Sequence, residues 1–229
     1  MLTRTASHTH VAPTRTVLGV NAAAALANAL FGSPALAGAA MYFARNSEIY
    51  GEGEPADYVY RVLSGTVRTS KVLSDGRRQI GAFYLPGDTF GLEAGEEHTF
   101  CAEAMTDASV LVVKRSAVTA EAQRDSHVAR ELWAATAREL ARAQSHLMLL
   151  IKSAQERVAA FLLEMADRVP DQAGIELPMS RQDIADYLGL TIETVSRTLT
   201  QLESKAAIEL PRSRHIVLRN RSALARLNS

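Results

Sequence analysis

The sequence predicts an α+β fold in which a β-rich first half is followed by a long helix and a carboxy-terminal winged helix-turn-helix. Three observations lead to this prediction. Turn signals recur about every 7 to 12 residues between residues 42 and 113, a spacing typical of an all-β domain. Residues 117–168 contain neither Gly nor Pro, which favours helices. After Pro178, two short amphipathic segments flank a glycine, as in a helix-turn-helix.

Composition and charge are those of an ordinary globular protein. The 229 residues include 25 Lys plus Arg and 25 Asp plus Glu, and 47% are hydrophobic, which is enough for a real core in one or two domains. The net charge of zero argues against a protein that is basic over its whole surface. The single cysteine, Cys101, excludes an intrachain disulfide and an all-cysteine metal cluster within one chain. A lone thiol is typical of a reducing compartment, so we predict a cytoplasmic protein.

The amino terminus is predicted to be a flexible leader over residues 1–35, which runs into a short amphipathic helix at residues 20–30. A signal peptide is the alternative, because residues 35–37 have the small-x-small pattern of a cleavage site. Two asparagines and a proline interrupt the apolar run. No segment reaches the roughly 18 apolar residues of a membrane span, so we expect no membrane partner.

Residues 36–116 are predicted to form the β domain. Short apolar runs lie at residues 58–63, 67–73, 79–85 and 110–113, and Asp-Gly and Pro-Gly corners separate them. Because many short strands with regular turns close into compact all-β units, the pattern predicts a barrel, roll or sandwich.

Residues 117–152 are predicted to form one long dimerisation helix. Its apolar positions follow the 3, 4 spacing of a coiled-coil seam, namely Trp133, Thr136, Leu140, Ala143, Leu147 and Leu150. The alternative is a single amphipathic helix that packs on its own β domain. A second helix is expected at residues 155–167.

The last segment, residues 153–229, is predicted to be a winged helix-turn-helix. Ser180 and Asp183 form an approximate capping box that begins a helix ending near Gly189. Thr191 caps a second helix, expected over residues 192–205. Two short segments rich in apolar residues, 208–210 and 216–218, predict the hairpin of the wing.

The polar face of the second helix predicts DNA binding. Glu193, Ser196 and Arg197 lie at i, i+3 and i+4, so they share one face near its amino-terminal end. In a helix-turn-helix this end meets base edges in the major groove. The alternative is a solvated ion pair between Glu193 and Arg197. Seven basic and three acidic residues from Leu190 to Ser229 give this end a charge of +4, as expected for a phosphate-binding region.

At residues 179–199 the chain resembles the Crp/Fnr transcription regulators, whose FixK and Fnr branch has a recognition helix of the form E-x-x-S-R. The resemblance implies a cyclic-nucleotide-binding-like β-roll and a homodimer on a TTGA-N6-TCAA palindrome, with RNA polymerase as a further partner. It also implies that Glu193, Ser196 and Arg197 read bases. The rest of the predicted DNA-binding set is Ser180, Arg181, Thr191, Ile192 and Thr194.

Departures from the family bear on what the β-roll senses. Cyclic-AMP-binding members carry an arginine and a small hydroxyl residue where this chain has His98 and Thr99. Residues 86–100 contain four carboxylates and no arginine, so this stretch is expected to repel a phosphate rather than bind it. Residues 1–100 contain no cysteine, which excludes the iron–sulfur chemistry of the family's oxygen sensors. His98 is the one candidate haem ligand, and we interpret it as a loop residue instead. No cofactor or metal is therefore expected.

The sequence thus favours a FixK-type regulator that binds DNA without a small ligand. For such a member the resemblance implies activation of genes for microaerobic or anaerobic respiration, or for nitrogen fixation. The alternative is a ligand-gated regulator whose β-roll binds an unidentified effector. An enzyme is not expected, since no Ser–His–Asp order, phosphate loop or paired-carboxylate motif is present.

Overall fold

The computed structural model describes residues 29–169 and 174–227 of the chain. Within them, the first half forms two antiparallel four-stranded sheets that share one apolar core. The strands are β1 (Ala39–Phe43), β2 (Glu48–Tyr50), β3 (Tyr58–Ser64), β4 (Val67–Val72), β5 (Arg78–Tyr84), β6 (Thr89–Phe90), β7 (Cys101–Ala104) and β8 (Ala108–Lys114). One sheet has the order β1-β8-β3-β6 and the other β2-β7-β4-β5. This is the predicted β-roll.

Local sequence explains how the strands turn and pair. In β3, Tyr60 and Val62 are buried, and Val62 lies opposite the buried Val110 of β8. Gly65 makes the turn from β3 to β4 with a φ of +81°, and a Cβ at this position would lie 2.3 Å from the Asp107 carbonyl oxygen. Only glycine tolerates both the positive φ and this close approach.

The helical part begins directly after β8. Its helices are α1 (Arg115–Arg124), α2 (Ser126–Leu149), α3 (Ala154–Arg168), α4 (Arg181–Leu188), α5 (Ile192–Ser204) and α6 (Arg221–Leu227). Three short strands, β9 (Ile175–Glu176), β10 (Ile208–Glu209) and β11 (His215–Leu218), form a small sheet in the order β10-β11-β9. The predicted winged helix-turn-helix is confirmed, with β10 and β11 as the wing.

The uninterrupted helix predicted over residues 117–152 is wrong, because the chain breaks at Asp125. This residue is extended, with φ −116° and ψ 111°, and its carboxylate accepts a hydrogen bond of 2.8 Å from the His127 amide. Aspartate is a preferred N-cap, so it ends α1 and starts α2. The long helix α2 then ends at Leu149.

The predicted flexible leader over residues 1–35 is wrong for its last part. Two 3₁₀ turns, Leu30–Gly32 and Pro34–Leu36, follow Ala29. The side chains of Leu30 and Leu36 are at most 1% exposed and belong to the cluster that contains Val128 of α2. Burial of apolar area against α2 stabilises this segment without a regular helix. Residues 1–28, with nearly all of the predicted helix at 20–30, lie outside the described residues.

The β-roll and the winged helix-turn-helix share a hydrophobic core. Phe83 of β5 contacts Tyr187 of α4 and Phe161 of α3, with ring centroids 5.1 and 6.2 Å apart. Ile80 of β5 is fully buried in the same cluster, together with Leu188. Because apolar contact joins the two parts, the helix-turn-helix has a defined position on the roll.

Candidate DNA-binding interface

The first helix of the motif, α4, begins at a capping box. The Ser180 hydroxyl accepts from the Asp183 amide at 3.1 Å, and the Ser180 amide donates to the Asp183 carboxylate at 2.9 Å. Aspartate therefore replaces the usual Glu or Gln of such a box. The apolar side of this helix is buried, since Ile184, Ala185 and Leu188 are at most 3% exposed.

A glycine turn sets the angle between α4 and α5. Gly189 has φ +62° and ψ 41°, the left-handed conformation that favours glycine at the end of a helix. Thr191 then caps α5, and its hydroxyl accepts from the Thr194 amide at 3.2 Å. Val195 and Leu199 face the core, so the opposite side of α5 faces outward.

The outward face of α5 carries the predicted base-reading residues. Glu193 and Arg197 are exposed, and Ser196 is half-buried between them. Across the described residues, neither the Glu193 carboxylate nor the Arg197 guanidinium has a hydrogen-bond or ion-pair partner. The ion pair considered as the alternative is therefore not formed. Both groups are available to an external partner.

The other predicted contacts fall in two places. Thr191, Ile192 and Thr194 lie in the first turn of α5 or at its cap, beside the face predicted to read bases. Ser180 and Arg181 lie at the start of α4 and are half-buried. The Ser180 hydroxyl also donates to the Asp183 carboxylate at 2.6 Å, so it is already engaged within the chain.

The wing adds positive charge next to α5. Residues 210–214 connect β10 to β11, and Arg212 is exposed in this connection. Arg214 is half-buried, and its guanidinium lies 3.5 Å from the Pro178 carbonyl oxygen. The two-residue strand β9 completes the sheet but was not predicted, because its hydrophobic pattern is too short to detect.

Two arginines of the β-roll bind carboxylates of α4, a contact that the sequence did not reveal. Arg68 of β4 lies 2.6 Å from Asp183, and Arg78 of β5 lies 2.8 Å from Asp183 and 2.7 Å from Asp186. Burial tends to raise the pKa of Asp183, but hydrogen bonds from Ser180 and the charges of both arginines outweigh it and hold the pKa below 3.8. Asp183 is therefore ionised at neutral pH.

Five of the six predicted seam residues lie along one face of α2, and Leu150 directly follows its last residue, Leu149. All six are exposed or half-buried, namely Trp133, Thr136, Leu140, Ala143, Leu147 and Leu150. Trp133 is 76% exposed, Leu140 59% and Leu147 64%. The opposite face of the helix, with Val128 and Ala135, packs on the chain's own residues. These three large side chains are therefore mostly exposed to solvent, which contradicts the alternative that the helix buries them against its own β domain.

A cavity of about 420 Å³ lies between the β-roll and α2. Its lining includes Tyr84, Phe90, Glu93, Glu139 and His146, and no arginine or lysine. Because two carboxylates and no cation face the space, a phosphate would be repelled rather than paired.

His98 and Cys101 both differ from a simple surface residue. His98 lies in a loop, as predicted, but its side chain is fully buried and stacks on Tyr50 with centroids 3.5 Å apart. Its Nδ1 lies 3.0 Å from Glu93. The Cys101 thiol is half-buried and lies 3.0 Å from the Ser70 carbonyl oxygen. Over the described part of the chain, no group of three or more His, Cys, Asp or Glu residues has the arrangement of a metal site.

Among the helices that the structure describes, none combines the length and apolar character needed to cross a bilayer.

Comparison with known proteins agrees with this architecture. The family model for a Crp-like helix-turn-helix domain matches residues 156–227, and that for a cyclic nucleotide-binding domain matches residues 40–125. Together these matches define a transcription regulator with a cyclic-nucleotide-binding-type β-roll and a DNA-binding helix-turn-helix. The chain belongs to the Crp/Fnr family.

Within that family the chain is similar to FixK proteins. It is 54% identical over 207 residues to the nitrogen fixation regulation protein FixK of Azorhizobium caulinodans, covering 88% of this chain and 81% of that protein. With FixK of Rhizobium meliloti it shares 45% identity over 181 residues, or 79% of this chain and 82% of the relative. The solved structure of FixK2 from Bradyrhizobium japonicum matches with a TM-score of 0.79 and 55% identity, covering 83% of this chain and 98% of that one. The predicted resemblance and fold class are confirmed.

Proposed function

We propose that this regulator binds a TTGA-N6-TCAA-like palindrome as a homodimer and activates transcription without a small-molecule ligand. The observation that carries the proposal is the pair Glu193 and Arg197, exposed and unpartnered among the described residues at the amino-terminal end of α5. Three consecutive segments of the chain have different roles in this proposal. Residues 36–116 form the effector-type domain, 117–152 pair two copies, and 153–229 bind DNA.

Each base-reading side chain has a chemical role. Arg197 donates two hydrogen bonds to guanine O6 and N7, and Glu193 accepts from cytosine N4. Ser196 contacts a base edge or a phosphate. Ser180, Arg181, Thr191, Ile192 and Thr194 position the motif on the backbone or the bases next to it. Phosphate contacts of this kind fix register, whereas base contacts specify sequence.

Pairing of two chains follows from the face of α2. Trp133, Leu140 and Leu147 expose apolar area at heptad spacing, and burial against a second copy removes that area from water. The exposed Met148 and Ile151 extend the same apolar region toward the DNA-binding part. A two-fold dimer places two copies of α5 on two half-sites, as a palindrome requires.

Ligand-independent binding is supported by direct contacts between the roll and α4. The arginines at positions 68 and 78 and the core around Phe83 hold the motif in place with side chains of the chain itself. The cavity lining offers no cation for a cyclic phosphate. A regulator of this kind is controlled by its abundance, and we place it in the cytoplasm.

The biological role is inferred from the relatives. Two FixK proteins with 54% and 45% identity are named as regulators of nitrogen fixation. We propose that this chain likewise acts at promoters for nitrogen fixation or microaerobic respiration, where it contacts RNA polymerase.

The test is a fluorescence-anisotropy titration of the pure protein, in air and without added ligand. A TTGA-N6-TCAA duplex is compared with a scrambled duplex of equal length at one fixed salt concentration, because phosphate contacts make the affinity salt-dependent. We expect tight binding to the palindrome and a large ratio over the scrambled duplex. Equal and weak binding to both would contradict the proposal.

A ligand-gated regulator is the second candidate, and the 420 Å³ cavity beside α2 is the observation that favours it. If the titration gives equal, weak binding, a thermal-shift screen of small molecules is the next measurement. A true effector must raise both the melting temperature and the affinity for the palindrome, since only a ligand that prefers the DNA-binding state shifts the equilibrium.

A further inference from the structure

We propose that Arg157 is a positioning residue for DNA reading. Its guanidinium joins the end of the dimerisation helix α2 to the turn of the helix-turn-helix, and thereby sets the separation of the two recognition helices in a dimer. The inference rests on the proposed function only for its DNA readout, because the joint lies within one chain.

One side chain makes four contacts with carbonyl oxygens from two parts of the chain. On one side, Arg157 Nη2 donates to Leu150 at 2.6 Å and Nε donates to Lys152 at 2.8 Å. On the other side, Nη1 donates to Leu188 at 2.8 Å and lies 3.4 Å from the Gly189 oxygen. The first pair follows the end of α2, and the second pair lies at the end of α4.

The chemistry of the acceptors explains why arginine suits this position. The last carbonyl groups of a helix have no partner within the helix, and they carry the negative end of its dipole. A guanidinium is a permanent cation with five N–H donors in a planar fork, so it can contact the carbonyl group of Leu150 at the end of α2, that of Leu188 at the end of α4, and that of Lys152 in the linker at once. A lysine ammonium is a compact point charge on a single stem and cannot span both ends in the same way.

The linker that Arg157 spans is short and is fixed on its far side. The helix α2 ends at Leu149 and α3 begins at Ala154. Ser153 caps α3 through a capping box with Glu156, whose carboxylate accepts from the Ser153 amide at 2.8 Å. Arg157 therefore projects from a well-anchored helical turn, and its contacts remove the freedom that the linker would otherwise leave.

Neighbouring side chains complete the anchorage of α4. The Tyr187 carbonyl oxygen lies 2.6 Å from His146 Nε2 of α2 and accepts from Gln79 Nε2 of β5 at 3.3 Å. The carbonyl groups of residues 187, 188 and 189 are thus contacted from α2, α3 and the β-roll. Arg157 is the member of this set that contacts both the linker and the turn before the recognition helix.

Removal of the Arg157 side chain should affect the position of α5 relative to α2 more than the contacts between α5 and the bases. Arg157 touches no residue of the base-reading face, so the contacts of each half-site stay the same when it is removed. What changes is the freedom of α5 relative to α2. Since dimers read two half-sites at a set distance along the DNA, a loosened joint should tolerate the wrong spacing.

The test compares R157Q with R124Q, which removes the same charge from an exposed residue of α1. Each protein is titrated with palindromes whose half-sites are separated by N5, N6 or N7. We expect R124Q to match the wild type. R157Q should bind the N6 site about tenfold more weakly, and its preference for N6 over N5 and N7 should shrink by a similar factor.

A second readout does not depend on DNA. Ala120 and Ser204 are exposed, so spin labels on cysteines at these two positions in a C101S chain report the distance from α1 to α5. Each labelled chain is diluted with unlabelled protein so that only distances within one chain are measured. We expect a narrow distribution for the wild type and R124Q, and a broader one for R157Q.

Three outcomes would overturn the inference: an unchanged spacer preference, an equal loss on all three duplexes, or an unchanged distance distribution. If R157Q does not fold, R157K tests the inference instead, because it keeps the positive charge and loses the planar set of guanidinium N–H donors. It should show an intermediate spacer preference and an intermediate width. If the wild type itself fails to bind the palindrome, the proposed function fails, and the distance measurement still tests the joint.

Discussion

The Nη1 atom of Arg68 lies 2.6 Å from the Oδ1 atom of Asp183, so an ion pair joins the β-roll directly to the first helix of the helix-turn-helix. Both side chains are nearly buried, with 11% and 8% of their surfaces exposed. Asp183 also closes the capping box of its own helix. One carboxylate therefore stabilises a helix end and the contact between the two parts of the chain.

We expect removal of this carboxylate to weaken both features. D183A removes the shared partner of Arg68 and Arg78, but Arg68 keeps Glu103 and Arg78 keeps Asp186. We therefore expect a loss at the lower end of the range of about 3–5 kcal/mol of unfolding free energy that breaking a buried pair costs. Urea denaturation measures the change. D75N is the control, because Asp75 pairs with Arg77 on the surface and should change stability by less than about 0.5 kcal/mol. A D183A chain as stable as D75N would contradict the assigned role.

R197A should reduce both affinity and base preference. Loss of a bidentate contact to guanine costs about 1–3 kcal/mol on the cognate palindrome and relaxes preference at one base position. Anisotropy titration against single-base variants measures both effects. R212A, at the tip of the wing, is the matched control for a phosphate contact. It should weaken binding to all sequences alike and reduce the salt slope by about one. If R197A also acted alike on all sequences, Arg197 would be a phosphate contact.

The double variant L140A/L147A should weaken dimerisation. These side chains are 59% and 64% exposed in the single chain, so truncation removes apolar area that a dimer buries and leaves the monomer core intact. Sedimentation equilibrium should show a larger dissociation constant, and the affinity for the palindrome should fall with it. V72A is the control, because Val72 is 63% exposed on the β4–β5 hairpin, away from the seam. Unchanged sedimentation of the double variant would contradict the seam assignment.

Stability should fall in mild acid because of His146. Burial lowers its pKa below 6.5, and contacts with the Tyr187 carbonyl and Glu164 only partly oppose this shift. The folded chain therefore keeps His146 neutral where the unfolded chain binds a proton. Its contribution to stability is complete above pH 6.5 and is lost as the pH falls from 6.5 through the lowered pKa.

Thermal melts at about pH 7.5 and about pH 5.5 test this expectation. H146Q removes the titrating group, so it should show a smaller fall in melting temperature than the wild type. H127Q is the control, since His127 is exposed on the same helix, and its fall should equal that of the wild type. An equal fall in H146Q would assign the acid sensitivity to other groups.

Much of the DNA-binding part could be predicted from the sequence because its signals are local. The capping residues Ser180 and Thr191 lie next to the helices that they begin, and Gly189 marks the turn between them. The seam of α2 repeats at a helical period. The break at Asp125 also had a local signal, since aspartate is a preferred N-cap, but the absence of Gly and Pro masked it.

By itself, then, the sequence determined the order of the β-roll, the helical region and the helix-turn-helix, the family and the face of α5 that points outward, because each depends on neighbours a few residues apart. Tertiary structure alone decided how those elements are joined. Arg68 and Asp183 are 115 residues apart, and Arg157 and Leu188 are 31 apart. No periodicity connects such pairs, and the sequence does not show which of its 25 basic side chains will meet a particular carboxylate or carbonyl. Folding around the core near Phe83 brings them together, and burial then gives these contacts a strength that exposed pairs lack.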